Sequence, residues 1–242
     1  MSKDDLYKGM KDGEQPFRFD DAVASVFPDM LERSIPGYRA SIEAIGSLAA
    51  RFVTPGSNAY DLGCSLGAAT LAMRQGIQVD NCTIVAVDNA PAMIDRCRDL
   101  LEKAGGSDTT VDLRLGDITE TEFENASMVV MNYTLQFVAM DARATIMKRI
   151  ADGMNDGGIL VLSEKVIDGD DRMESLLVDL HHEHKRRNHY SELEIARKRA
   201  ALENVLVPES VPDHLARLRS AGFSHAAVWL RYFNFVSIVA IK

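Results

Sequence analysis

The chain has 242 residues, of which 46% are hydrophobic and only three are cysteine, and its formal net charge is −9. This length holds one large domain whose core needs neither disulfides nor metal. No apolar run approaches the roughly 20 residues that cross a bilayer, and the acidic balance argues against broad electrostatic binding of nucleic acid.

The first residues, MSKDDLYKGMKDGEQPFRFDD, lack the apolar core of a signal peptide, and residues 1–20 read as a mobile arm. From Asp20 to Phe52 apolar residues recur at helical spacing (Val23, Val26, Phe27, Met30, then Ile42, Ile45, Leu48). Pro36-Gly37 splits this run into two helical pieces, with Tyr38 directly after the turn. A regular alternation follows. Asn58 to Leu62 reads as a short buried strand, Gly67 to Met73 opens a helix, Thr83 to Asp88 is a second strand and Ala90 to Ala104 a second helix. Val111 to Leu115 and Ser127 to Asn132 are the third and fourth strands, and Asp141 to Met154 is a helix. Ile159 to Glu164 is the fifth strand, after the turn Asp156-Gly157-Gly158. Continuous apolar strands between helices predict a parallel sheet covered on both faces.

Residues 166–210 read as a polar, largely helical insertion, and Val211 to Ser220 as a helix. The strands His225 to Leu230 and Phe235 to Ile241 are linked too closely for a parallel crossover, so they pair antiparallel. The expected architecture is α/β and Rossmann-like, a single domain over residues 1–242 with a mostly parallel seven-stranded sheet and an antiparallel C-terminal hairpin. Cys64, Cys82 and Cys97 form neither a disulfide framework nor a CxxC motif, which suits a reducing cytoplasm.

The run Tyr60-Asp61-Leu62-Gly63-Cys64-Ser65-Leu66-Gly67 sits where a strand turns into a helix. Small residues there let the backbone approach a ligand, and free amides at the helix start favour negative charge. Ser65 stands where a middle glycine is often found, so the run departs from GxGxxG. Asp88 ends the second strand 21 residues after Gly67, where a carboxylate accepts from both ribose hydroxyls. Asp88 or Asn89 also suits capping of the following helix. Asp117, with the Ile118 amide, ends the third strand where an adenine would lie, and a turn aspartate is the alternative. Asn132 ends the fourth strand over the same crevice, where a turn-forming role competes. Four strand ends converging on one crevice mark the ligand site of an open α/β sheet. The antiparallel tail favours S-adenosylmethionine over NAD or FAD.

Three further groups need placing. The cations Lys185, Arg186, Arg187, Arg197, Lys198 and Arg199 read as solvated helix faces. His181, His182, His184 and His189 lack the carboxylate pattern of a zinc motif, and no metal is expected. Trp229, Tyr232, Phe233 and Phe235 read as core and sheet packing.

The stretches VFPDMLERSIPGY, YDLGCSLGAAT, NASMVVMNYTLQF, LSEK, YSELEIARKR and FNFVSIVAIK resemble the bacterial carboxy-S-adenosyl-L-methionine synthases, over nearly the whole chain. The resemblance implies a class I methyltransferase fold that transfers no methyl group. It implies conversion of S-adenosylmethionine and prephenate into carboxy-S-adenosylmethionine and phenylpyruvate. The product then feeds carboxymethylation of a tRNA wobble uridine by a separate enzyme. Residue by residue, it implies that Tyr38 and Arg199 contact the carboxylated ligand and that Gly63, Cys64 and Ser65 form the glycine-rich loop. Asp88 and Asn89 would hold the ribose, Asp117 and Ile118 the adenine, and Asn132 the amino-acid end or sulfonium region. It also implies a homodimer, and it names no catalytic base. An arginine suits the carboxylate because its planar fork binds both oxygens. Two other readings stay open: an ordinary methyltransferase acting on a small metabolite, and a silent module that carries the ligand to a tRNA-modifying partner.

Overall fold

The computed structural model describes residues 3–6, 17–202 and 205–242. The first half contains α1 (Asp21–Ser34), α2 (Tyr38–Phe52), β1 (Asn58–Leu62), α3 (Ala68–Gly76), β2 (Thr83–Asp88), α4 (Pro91–Lys103), β3 (Thr110–Leu115) and β4 (Ala126–Asn132). After a short 3₁₀ turn at Leu135–Phe137 come α5 (Arg143–Gly153), β5 (Met154–Ile167), α6 (Asp171–Arg187) and α7 (Glu192–Leu202). The chain then runs through β6 (Glu209–Ser210), α8 (Val211–Ala221), β7 (His225–Tyr232) and β8 (Phe235–Ile241).

Strand residues alternate between faces with period two, and here both faces are covered. Tyr60, Leu62, Val129, Met131, Leu160 and Leu162 pack with Ile146 and Met147 of α5 and Leu218 of α8. Their neighbours Ala59, Met128, Val130, Ile159 and Val161 pack on the other face with Ile45 of α2 and Met73 of α3. Neither face can therefore be polar, which is why these strands read as unbroken apolar runs.

The seven long strands lie in the order β3-β2-β1-β4-β5-β8-β7, with the two-residue β6 pairing off this path to β5. β1 to β5 are parallel, whereas β8 runs antiparallel to both β5 and β7. The hairpin and the parallel core thus lie where the sequence patterning puts them. The fifth strand differs. It begins at Met154, and the expected turn at Asp156-Gly157-Gly158 lies inside it. Gly157 has φ 77°, and the β4–β5 register jumps between Ala126 and Met128. Glycines that signal a turn here make a bulge in a continuous strand.

Of the arm expected to be mobile, residues 3–6 and 17–20 are described, and both pieces make tertiary contacts. Asp4 is 1% exposed, and its amide donates to Asp29 Oδ2 at 2.7 Å. Phe17 N donates to Ala201 O at 3.1 Å, and Phe19 packs edge-on against Phe27 and Phe137. Residues 1–2 and 7–16 lie outside the described residues.

The insertion corrects the reading of the cations as solvated faces. Helical spacing turns Leu177, His181 and Lys185 of α6 inward together, and Lys198 of α7 is buried as well. Arg186 and Arg187 do face solvent, ion-paired with Glu192 and Glu183. The aromatic tail is corrected in part. Phe235 is buried, but Trp229 is 37% and Tyr232 47% exposed. Trp229 falls at a register shift of the edge strand β7, which turns it outward, and its indole donates to Ser237 Oγ at 2.9 Å.

Candidate active site

A cavity of about 1020 Å³ opens over the carboxyl ends of β1, β2 and β4. Its other walls come from α1, the start of α2, and the insertion helices α6 and α7. All ten residues singled out from the sequence line it: Tyr38, Gly63, Cys64, Ser65, Asp88, Asn89, Asp117, Ile118, Asn132 and Arg199.

The glycine-rich loop is held by the next strand, because Gly63 N and Cys64 N both donate to Val87 O, at 2.8 and 3.0 Å. Gly63 has φ +75°, and a Cβ on it would lie 2.5 Å from Thr134 Cγ2 and Oγ1, so no side chain fits. Ser65 takes a left-handed φ of 49°, which lets its amide turn back and donate to Asp88 Oδ2 at 2.9 Å. Asp88 Oδ1 accepts from Ala90 N at 2.9 Å, which fixes the turn before α4. The helix N-cap is Ala90 and no side chain caps its first turn, so neither Asp88 nor Asn89 takes the capping role expected as an alternative. Each carboxylate oxygen keeps a further lone pair for a ligand. Burial raises the Asp88 carboxyl above its ordinary range, and the amides of Ala90, Ser65 and Asn89 oppose that shift.

The Cys64 thiol is pushed far above its usual range, first by a hydrogen bond shared with Cys97 and then by burial. It is therefore a neutral thiol at physiological pH and no nucleophile. Asp117 uses Oδ1 to accept from the amide and hydroxyl of Thr119, both at 2.8 Å. Asn132 Oδ1 is buried without a hydrogen-bond partner among the described residues. A buried acceptor with no protein donor is costly unless a ligand supplies one.

The structure adds residues that sequence reasoning passed over. Asp61 is fully buried and accepts from Thr70 Oγ1 at 2.5 Å, and burial pushes its carboxyl up to about 6. Tyr133 has φ 63°, uncommon for an aromatic residue, and its amide donates to Ser163 O at 2.7 Å. Its ring stands 6.4 Å from that of Tyr38 and 6.0 Å from that of Phe235. Burial raises both tyrosine hydroxyls above the usual phenol range, so each is a neutral donor. His181 Nε2 donates to Ser34 O at 2.9 Å, its ring lies 4.8 Å from Phe235, and burial holds it well below the ordinary histidine range. A left-handed tyrosine leaves no mark in sequence. The i, i+4 placing of His181 and Lys185 was visible there, once an inward face was assumed.

The electrostatics divide the cavity. Asp61, Asp88 and Asp117 line the end over β1, β2 and β3, while Lys165, Lys185, Lys198 and Arg199 line the end under the insertion. Arg199 is exposed and lines the cavity, and its guanidinium makes no hydrogen bond or ion pair with any described residue. Among the described residues no group of three or more His, Cys, Asp and Glu side chains is arranged to hold a metal, and no helix is long and apolar enough to cross a membrane.

Residues 59–158 match the methyltransferase-domain family. Among solved structures, human N-acetylserotonin methyltransferase in complex with SAM superimposes with a TM-score of 0.58 at 14% identity, over 92% of this chain and 55% of that one. Magnesium protoporphyrin IX methyltransferase from Synechocystis, with bound SAH, gives a TM-score of 0.58 at 14% identity, over 88% of this chain and 86% of that one. These likenesses show the class I methyltransferase fold. Carboxy-S-adenosyl-L-methionine synthase of Trichlorobacter lovleyi is 54% identical over 226 residues, 93% of each chain. The enzymes of that name from Vibrio campbellii and Escherichia coli are 53% and 54% identical, over 99% and 93% of this chain and 97% and 90% of their own. Identity of this order along almost the whole length, on a fold whose crevice gathers all ten expected residues, means that the chain belongs to the carboxy-S-adenosyl-L-methionine synthase family.

Proposed function

We propose that this chain makes carboxy-S-adenosylmethionine and phenylpyruvate from S-adenosylmethionine and prephenate, in the cytoplasm, and that the product serves tRNA wobble-uridine carboxymethylation by a separate enzyme. The observation that carries the reading is Arg199, a guanidinium without an anionic partner among the described residues, on the cavity that also holds Asp88 and Asn132. The S-methyl group of a methyl donor carries no carboxylate for it to meet beside the sulfonium, whereas the carboxymethyl group of the product does.

The residues present fit S-adenosylmethionine as a substrate. Asp88 has lone pairs left for ribose hydroxyls, Asp117 Oδ2 is free for an adenine amino group, and Asn132 Oδ1 awaits a donor. In the overall exchange, prephenate loses carbon dioxide and its ring hydroxyl as the ring becomes aromatic. One hydrogen of the S-methyl group leaves with that hydroxyl as water, and the carboxyl carbon takes its place. The chain contributes position, positive charge and exclusion of bulk water. Half-buried Tyr38 and Tyr133 wall the reacting region with neutral hydroxyls, which do not compete as anions for the arginine.

The test is mass spectrometry of the protein incubated with S-adenosylmethionine, with and without prephenate. A prephenate-dependent gain of one carboxyl group is expected. Release of S-adenosylhomocysteine with a methylated product, or unmodified S-adenosylmethionine throughout, rejects the reading. A homodimer is part of the proposal. The exposed apolar side chains Met173 and Leu176 of α6, Leu193 of α7, and Trp229 and Tyr232 of β7 support it. Light scattering is expected to give twice the chain mass, and a monomer would remove that part. Direct tRNA binding is expected to be weak and steeply salt-dependent, given the charge of −9.

A further inference from the structure

The three lysines that line the cavity differ in their partners. Lys198 donates to Ser34 Oγ at 3.0 Å, lies 3.6 Å from Asp4 Oδ2, and stands 5.5 Å from the centre of the Tyr190 ring. It is a compensated charge. Lys185 is 7% exposed, and its ammonium makes no hydrogen bond or ion pair with any described residue, although its carbonyl accepts from Tyr190 N at 3.1 Å. Lys165, at the end of β5, is half-buried and likewise unpaired. Lys165 lies two residues beyond Ser163, the register partner of Asn132, and opposite Phe235 in the β5–β8 ladder. The two free cations therefore sit past the cofactor crevice, beside the aromatic surface of Phe235, Tyr133 and neutral His181. A buried ammonium with no ion-pair partner in contact among the described residues is a costly arrangement that an anionic ligand relieves.

We propose that Lys185, assisted by Lys165, binds the carboxylate that the second substrate keeps, the one on its 2-oxo acid side chain, while Arg199 meets the carboxylate that is newly made. This rests on the reading of prephenate as the carboxyl donor. The donor carries two carboxylates, and one of them is lost. A cation seated on that one stabilises it before reaction more than in the transition state, where its charge drains into the ring, and so slows its loss. A cation on the retained carboxylate anchors the donor without that penalty and turns the leaving group toward the cofactor. The aromatic surface beside the lysines suits the ring between the two groups.

Titration supports the same placing. Burial and the charges of Lys198 and Lys165 hold the Lys185 ammonium down to about 7, while Asp4 on the N-terminal segment opposes the shift. The histidines His181 and His182 near it are themselves held low, and Glu174 raises Lys165 against its own burial. Because the folded value lies below the ordinary 10.5, Lys185 lowers stability when charged, and stability returns as pH rises from about 7 to 10.5. Lys185→Met is therefore expected to melt higher than the parent at pH 7 without ligand, with the gap closing toward pH 10. A lysine that served the fold would give the opposite sign.

The deciding experiment compares the parent with Lys185→Met and Lys185→Arg, and with Lys165→Gln as a half-buried second site. It measures the KM of prephenate, the Kd of S-adenosylmethionine, and the inhibition constant of phenylpyruvate, which retains the side-chain carboxylate and lacks the other. Lys185→Met is expected to raise the prephenate KM and the phenylpyruvate Ki together, by about tenfold or more. Its S-adenosylmethionine Kd is expected to change less than twofold, with Lys185→Arg between parent and Met and Lys165→Gln shifting Ki in the same direction. Equal losses for both substrates would overturn the proposal, as would a raised KM with unchanged phenylpyruvate Ki in both the Met and Gln variants. A parent protein that makes no carboxylated product with prephenate would instead reject the parent reaction, and the proposal with it.

Discussion

Gly63 combines a left-handed φ with a Cβ position 2.5 Å from Thr134, so Gly63→Ala meets two separate obstacles. The clash and the backbone strain together are expected to cost about 2–4 kcal/mol and to weaken S-adenosylmethionine binding. Adding Thr134→Gly removes the clash and leaves the strain, so thermal melting should recover part of the loss and no more. Full recovery would mean that φ is unimportant there. Asn132→Ala tests the neighbouring feature. It deletes a buried acceptor that has no donor among the described residues, so the ligand-free protein should lose little stability while the cofactor Kd rises by about tenfold. Calorimetry reads both, and an unchanged Kd would place Asn132 outside the ligand. At this scale the sequence placed Asp88, Asp117 and Asn132 over one cavity because each stands at the end of a strand, or two residues past it for Asp117, and the apolar pattern marks where those strands stop. It missed Tyr133 and read Lys185 as a solvated cation, since a backbone angle and the burial of a helix face are properties of three-dimensional surroundings.

Between elements, Arg143 shows what pattern alone leaves out. It opens α5, where the helical spacing suggests one more surface cation, yet it is fully buried. Its guanidinium donates to the carbonyls of Val138, Gln136 and Val207 at 3.0, 3.2 and 2.9 Å, and pairs with Glu209 at 2.5 Å. Glu209 in turn pairs with Arg217 of α8. One side chain thus joins the turn after β4 to the segment after α7, and Gln136, Val138 and Leu206 from those two segments line the cavity. Arg143→Ala leaves Glu209 short of a partner and the Val138 and Val207 carbonyls without their donor, while Gln136 O keeps Val207 N, at an expected cost of about 3–5 kcal/mol. Urea unfolding checks this, and a loss under 1 kcal/mol would show the junction to be dispensable. The partner lies 66 residues away, so no local spacing announces it. The helices and strands themselves were readable because each follows its own period.

For the molecule as a whole, sheet topology makes the parts interdependent. β8 lies between β5 and β7 and hydrogen-bonds to both. Deleting residues 235–242 removes a central strand and parts β7 from the sheet. Circular dichroism and solubility of such a truncation are expected to show no folded protein, although only Phe235 of that segment lines the cavity. A folded truncation would show that the parallel half stands alone. The antiparallel tail could be recognised from its short connection, but its insertion next to β5 depends on a choice of neighbour that alternation does not encode.

That same insertion sets a timetable for synthesis. β5 is finished at Ile167 and its partner β8 at Ile241, which at about 5–20 residues per second leaves the growing edge of β5 unpaired for roughly 4–15 s. During that interval Leu160, Val161 and Leu162 wait on an open edge, the kind of template that recruits foreign strands. α6 and α7 emerge meanwhile, ahead of the strand that completes the platform on which Phe235 meets His181. The nascent chain is therefore most prone to aggregation while the insertion side of its cavity is being assembled, and a chaperone that shields strand edges would be needed for seconds rather than milliseconds.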